Sequence, residues 1–289
     1  MPLRVDGPSQ CRCDWDHFVF VGTGVMNLYW VYELPNWLFW LITVGVAIAF
    51  GLGGMLAMRG WVKRLHGGHS HNDIVSFFFA SMSVFYGVAV GLFALGAWQT
   101  YSDVDSKVAL ESATMADLYR DVSHFPEPAR SVLQDELRVY VRRLIDISWP
   151  QFRRGIIDTA NNDTLNSFYE NLAEFEPTTD TQKMIHGETL TQFNRLIELR
   201  QLRLQSVTAG LPRLMWILVI VGAIATLAST WFFDTRSLTM HFWLTVLLAA
   251  LLGMMIHLLA SLDNPFRGDY SVSPEPFEML YHDLMTKKR

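Results

Sequence analysis

Between residues 72 and 90 the chain carries Asn72, Ser76, Phe79, Ser83, Tyr86 and Val90 at steps of three and four, which puts them on one face of a helix. Amide and hydroxyl groups at that spacing could replace part of an ion's water shell, and Phe79 with Tyr86 could form an aromatic constriction that excludes water. The opposite face, with Ile74, Phe77, Val84, Phe85, Val88 and Leu92, is apolar throughout. A second meaning stands beside the first: small hydroxyl residues also hold one membrane helix against another.

Two other clusters carry reactive groups. Ala249, Gly253, His257 and Ser261 recur every four residues, a small-residue seam for close helix approach with one ionisable group in it. A neutral histidine bonded to a neighbouring carbonyl would serve packing alone, and packing is the reading we take for all four. HGGHSHND, residues 66–73, gathers His66, His69 and His71, ligand types suited to zinc, copper or nickel, on a glycine-loosened loop. A solvated loop with Asn72 or Asp73 capping the next helix is the plainer alternative. The sequence has no nucleophile elbow, no phosphate-cradling glycine loop and no paired metal histidines on a helix, so we read no enzyme and no cofactor.

The elements that must position these residues are membrane helices. The chain has 289 residues, 51% hydrophobic, and the apolar ones gather in four blocks, Trp37–Met58, Ile74–Trp98, Leu214–Phe233 and Met240–Leu262. Each is near the roughly 20 residues needed to cross about 30 Å of hydrocarbon. None contains Lys, Arg, Asp or Glu. Residues 18–34 form a shorter apolar stretch with Tyr29, Trp30 and Tyr32, which suits a headgroup-level segment better than a fifth span. What precedes the first block carries Asp6, Asp14, Asp16 and Glu33, so it does not read as a cleavable signal. Cys11 and Cys13 are too few and too close for a disulfide framework, and they read as ordinary thiols. A net charge of −5 suggests no nucleic-acid role, and no nucleic-acid partner is expected.

Thr100–Leu211, between the second and third spans, is polar, with 12 Lys/Arg and 17 Asp/Glu among its 112 residues. Val104, Val108, Met115, Leu118 and Val122 continue the helical period of the second span, with Glu111 breaking the seam, and no proline intervenes from Ile74 to Phe125. The second span is thus expected to run on into water as one rod, on the order of 75 Å long. Further helices are expected from Pro128 to Trp149, over Ser167–Phe175, and over Thr181–Ala209. The fold class is therefore an all-α membrane protein: four transmembrane helices, with a helical extramembrane domain inserted between the second and third. The expected segments are 1–35, an N-terminal segment; 36–99, the first two spans; 100–211, the water-facing domain; 212–263, the last two spans; and 264–289, a tail. Arginines and lysines near the spans lean towards a cytoplasmic central domain.

The tail Asp263-Asn264-Pro265-Phe266-Arg267-Gly268-Asp269 resembles the sequence that follows the last transmembrane helix of bestrophin channels. The wider pattern is more similar to a bacterial bestrophin-like family, formerly a domain of unknown function. It comprises Tyr32-Glu33-Leu34-Pro35, His71-Asn72-Asp73, Tyr86, Trp98, Tyr101, Leu211-Pro212, Trp216, and Leu262-Asp263 through Pro274-Glu275-Pro276-Phe277. The resemblance spans about residues 28–282. It implies a homo-oligomeric ion channel, a pentamer in bestrophins, conducting inorganic anions through a pore lined by the second span, in the bacterial plasma membrane. Asn72, Ser76, Phe79, Ser83, Tyr86 and Val90 are then the expected pore lining. Arg267 interrupts the bestrophin tail, and Asp269, Glu275 and Glu278 are too spread to form a dense calcium-binding run. Phe266 and Phe277 are expected to dock the tail on the helical domain. The alternative is a non-conducting sensor or scaffold whose central helices bind a partner.

Overall fold

A computed structural model describes residues 35–66, 72–157, 161–235 and 237–286. The described residues are helical and contain no strand. In chain order the helices are α1 (Asn36–His66), α2 (Asn72–Val122), α3 (Ala129–Arg143), α4 (Trp149–Arg153), α5 (Asn161–Glu174), α6 (Asp180–Val207), α7 (Arg213–Thr230), α8 (Leu238–Asp263) and α9 (Glu275–Leu280). Leu144–Ser148 and Tyr281–Met285 are single π-helical turns continuing α3 and α9.

α1, α2, α7 and α8 are long and apolar enough to cross a membrane, and the chain is an integral membrane protein. They interlock where side chains are small. An added Cβ at Gly253 of α8 would stand 2.8 Å from the Val44 Cα of α1, and one at Gly54 of α1 would lie 2.0 Å from the Trp231 ring. Trp231 Nε1 donates to the Gly51 carbonyl at 3.0 Å, so the indole that fills this gap is also fixed by a hydrogen bond. α7 and α8 pack on α2, and α1 packs on α7 and α8.

α2 is 51 residues of uninterrupted helix, about 75 Å at 1.5 Å per residue. The continuous rod follows from the absence of proline and from two successive apolar seams. Val90 and Ala97 face the membrane helices, whereas Val104, Val108, Met115, Leu118 and Val122 are buried in a core made with α3, α5 and α6. α3 turns Leu133, Leu137, Tyr140 and Val141 into that core. α5 begins at Asn161, six residues before the expected Ser167, because Leu165 and Phe168 extend its buried face. α6 opens on a capping box in which Thr179 Oγ1 accepts from the Gln182 N–H, and it ends at Val207, before Pro212.

Glu111 breaks the apolar seam of α2 because its partner comes from α6. Arg203 Nε and Nη2 donate to the two Glu111 carboxylate oxygens at 2.7 and 3.0 Å, both residues being essentially shut off from solvent. The guanidinium also lies over the Phe152 ring, 5.1 Å from its centroid, and reaches the Tyr140 hydroxyl at 3.4 Å. Burial works against the arginine's charge, but Glu111 and Tyr140 beside it hold its pKa above the ordinary value.

Candidate functional site

The two faces of α2 have different neighbours, and those neighbours assign the faces. Asn72 Nδ2 donates to the Asp234 carbonyl at 2.7 Å and its Oδ1 accepts from the Asp234 N–H at 3.0 Å, which ties the start of α2 to the α7–α8 connection. Phe79 meets the Phe233 ring edge-on at 5.9 Å. The Tyr86 hydroxyl donates to the Val219 carbonyl of α7 at 3.0 Å, and its ring lies on Gly222, where an added Cβ would be 2.3 Å away. Val90 is 4% exposed, packed with Val219 and Leu259. The Ser83 hydroxyl is closed off from solvent, with no hydrogen-bond partner among the described residues. Of the six residues expected to line a pore, four meet α7, α8 or their connection in the same chain, the Ser83 hydroxyl is closed off, and Ser76 alone is exposed.

The stripe on which a pore lining is expected thus meets helices of its own chain. The polar-dotted stripe is the contact stripe, because in hydrocarbon small and hydroxyl side chains are what allow helices to approach closely. Its apolar opposite is left open: Phe77 is 70% and Phe85 78% exposed, and Val84, Val88 and Leu92 stand out beside them. Ser81, on this same open side, donates its hydroxyl to the Phe77 carbonyl at 2.9 Å. Such a face of phenyl and aliphatic groups holds water poorly and suits lipid tails or another apolar helix.

Ala249, Gly253, His257 and Ser261 lie on the side of α8 that meets α1. Ala249 is fully buried with Leu227 and Leu252, and Gly253 touches the α1 backbone. His257 tilts against Phe39 with ring centroids 4.8 Å apart, and its Nε2 is 3.4 Å from the Ser261 hydroxyl. Among the described residues no group of three or more His, Cys, Asp or Glu could hold a metal ion. His69 and His71 lie outside the described residues, as does the side chain of His66.

The tail closes the junction between spans and helical domain. Asp263 Oδ1 accepts from the Leu211 N–H at 2.5 Å and Oδ2 from Trp216 Nε1 at 3.2 Å, so one carboxylate clasps the crossing from α6 into α7. Asn264 adds its Nδ2 to the same carboxylate at 3.3 Å. Pro265 accepts from the Val272 N–H at 2.8 Å, which closes the loop that carries Gly268, whose φ of 77° suits glycine. Phe266 is inserted between Trp149 and Phe152, 5.6 and 5.8 Å from their centroids, and Phe277 is fully buried beside Trp149. Asp269 Oδ2 accepts from the Asn36 N–H at 3.1 Å and joins the tail to the start of α1. A cleft of about 260 Å³ beside Leu92, Gly96 and Thr100 of α2 ends on Asp263; its walls are mostly apolar.

Sequence reasoning missed the Asn72–Asp234, Tyr86–Val219, Trp216–Asp263 and Glu111–Arg203 pairs. Only the last left a signal, a lone carboxylate within an apolar seam, which demands a cation from elsewhere.

Comparison with known proteins places this geometry. The model of the Bestrophin-like domain matches residues 45–277. The fold is similar to that of a point variant of a bacterial bestrophin homologue from Klebsiella pneumoniae, with a TM-score of 0.64 at 12% identity, covering 86% of this chain and 99% of the other. Another structure of a bestrophin homologue from that organism gives 0.62 at 11% identity over the same shares. No curated protein matches the sequence.

Proposed function

The chain belongs to the Bestrophin-like family, and from that premise we propose that it is a homo-oligomeric ion channel, five copies by kinship with bestrophins, that sets α2 around a common axis and conducts anions. The observation that carries this reading is the unoccupied face of α2. A helix whose one side is packed on its own chain and whose other side exposes two phenyl rings needs either lipid or its symmetry mates there. On this reading Phe77, Ser81, Val84, Phe85, Val88 and Leu92 form the conducting wall, opposite the stripe that the serines suggest. Phe77 and Phe85, two turns apart, then make rings that hold or exclude water according to small changes in their spacing.

The polar helical part, residues 100–211, is read as the cytoplasmic domain inserted between the second and third spans, and the membrane as the bacterial plasma membrane. The one-piece α2, rooted in the core around Met115 and Leu118, supports a route by which events in that domain reach the constriction. The test is current through purified protein in planar bilayers under a chloride gradient. Current that reverses near the chloride equilibrium potential is expected. Silence under every tested pH and ligand would overturn the channel, and reversal at the cation's potential would overturn the anion preference.

A further inference from the structure

A second surface lies outside the α2 face and its partners. α4 ends in a turn in which the Gly155 N–H donates to the Phe152 carbonyl at 2.8 Å and the Ile156 N–H to the Gln151 carbonyl at 3.0 Å. Gly155 has a φ of 72°, and an added Cβ would lie 1.8 Å from Arg267 Nη2. The turn is fixed on both sides, by Phe152 in the core and by Arg267 in the tail. What it presents outward is unusual for a surface in water. Ile156 and Ile157 are both exposed, and Gly155 separates them from Arg153 and Arg154, which are exposed and make no ion pair among the described residues.

The turn's height relative to the bilayer follows from the contacts that hold it. Arg267 is four residues beyond Asp263, the last residue of α8, and Asp269 is hydrogen-bonded to the first residue of α1. The turn therefore sits level with the membrane ends of two spans. The same level carries exposed aromatics, Trp37 at the start of α1 and Tyr270 beside Asp269. Tryptophan and tyrosine belong at headgroup depth, adjacent isoleucines belong just below it, and arginine belongs with lipid phosphate.

We propose that the turn Arg153–Ile157 is a membrane-interface anchor: Ile156 and Ile157 enter the headgroup boundary while Arg153 and Arg154 bind the phosphates of anionic phospholipids. The surface fits this occupant by charge, since two exposed cations flank it, and by continuity with the ends of α1 and α8. The anchor fastens the helical domain to the bilayer at a second point beside its covalent exits, so lipid charge acts on the domain's seating.

The experiment uses full-length protein with Cys11→Ser and Cys13→Ser, spin-labelled at Ile156→Cys, in phosphatidylcholine nanodiscs with and without phosphatidylglycerol. The control label is at Met184→Cys, which is strongly exposed and about 35 Å up α6 from Val207. The label at 156 is expected to collide with oxygen in preference to a water-soluble nickel reagent, and the label at 184 to do the reverse. Phosphatidylglycerol retained through detergent purification is expected to fall about five-fold per arginine in Arg153→Gln with Arg154→Gln, and to be kept by the paired Lys variants. Nickel access at 156 equal to that at 184 would overturn the anchor. So would a label at 156 shielded from both reagents, because a neighbouring copy would then cover the turn. Unchanged phosphatidylglycerol retention in the Gln pair would overturn the role of the arginines.

Discussion

The Tyr86 hydroxyl donates to the Val219 carbonyl, 3.0 Å away across the α2–α7 contact, with the tyrosine ring seated on Gly222. That one relationship fixes the rotation of α2 about its own axis. With Tyr86 turned to α7, Phe85 and Phe77 point out of the bundle, and the side of α2 that this chain leaves open is set.

Phe85→Ala should therefore raise conductance or steady leak several-fold in planar bilayers, because it removes the more exposed of the two rings on the proposed wall. Phe79→Ala, whose ring meets Phe233 inside the same chain, should mainly lower stability, through the lost ring contact between α2 and the α7–α8 connection. Equal effects of the two on current would remove the distinction between the faces.

Tyr86→Phe should cost only about 0.6 kcal/mol, a typical value for a hydrogen bond between membrane helices. Gly222→Ala should cost far more, since its methyl group would overlap the Tyr86 ring. Adding Tyr86→Ala to Gly222→Ala should restore part of the loss, a non-additivity that thermal unfolding in one detergent reads directly.

Glu111→Gln should destabilise the helical domain by about 3–5 kcal/mol, since it leaves Arg203 buried with its charge uncompensated. Replacing both Glu111 and Arg203 by leucine and methionine should be much milder than either single change. Chemical denaturation followed by helical circular dichroism checks the order.

Glu136 supplies a pH dependence. Burial raises its pKa above the ordinary glutamate value, against the opposing hydrogen bond from Asn171 Nδ2 at 2.8 Å. The folded protein therefore holds this proton at pH values where the unfolded chain has released it. The stabilisation is complete below the unfolded glutamate pKa and is lost as pH rises through the raised folded one. Glu136→Gln should flatten that fall in a plot of melting temperature against pH; an unchanged slope assigns the dependence to other groups.

Asp263→Asn should loosen the membrane junction by about 1–3 kcal/mol, because the substituted amide can no longer accept from both the Leu211 N–H and Trp216 Nε1. Faster hydrogen exchange at Leu211 and the first turn of α7 is the expected readout.

The amino-acid sequence by itself determined the four membrane-length helices, the uninterrupted α2 and the all-helical class, because these depend on local run length, helical period and the absence of proline. It also carried the family, through the ordered tail after Asp263. It could not say which side of α2 is open. Periodicity distinguishes two faces of a helix but not their neighbours, and in lipid a polar-dotted stripe serves a helix contact as well as it serves water. Only the tertiary structure brought Val219, Gly222, Phe233 and Asp234 onto that stripe. The same limit hid the pairing of Glu111 with Arg203 and the seating of Gly155 on Arg267, since each joins positions that only the folded chain makes neighbours.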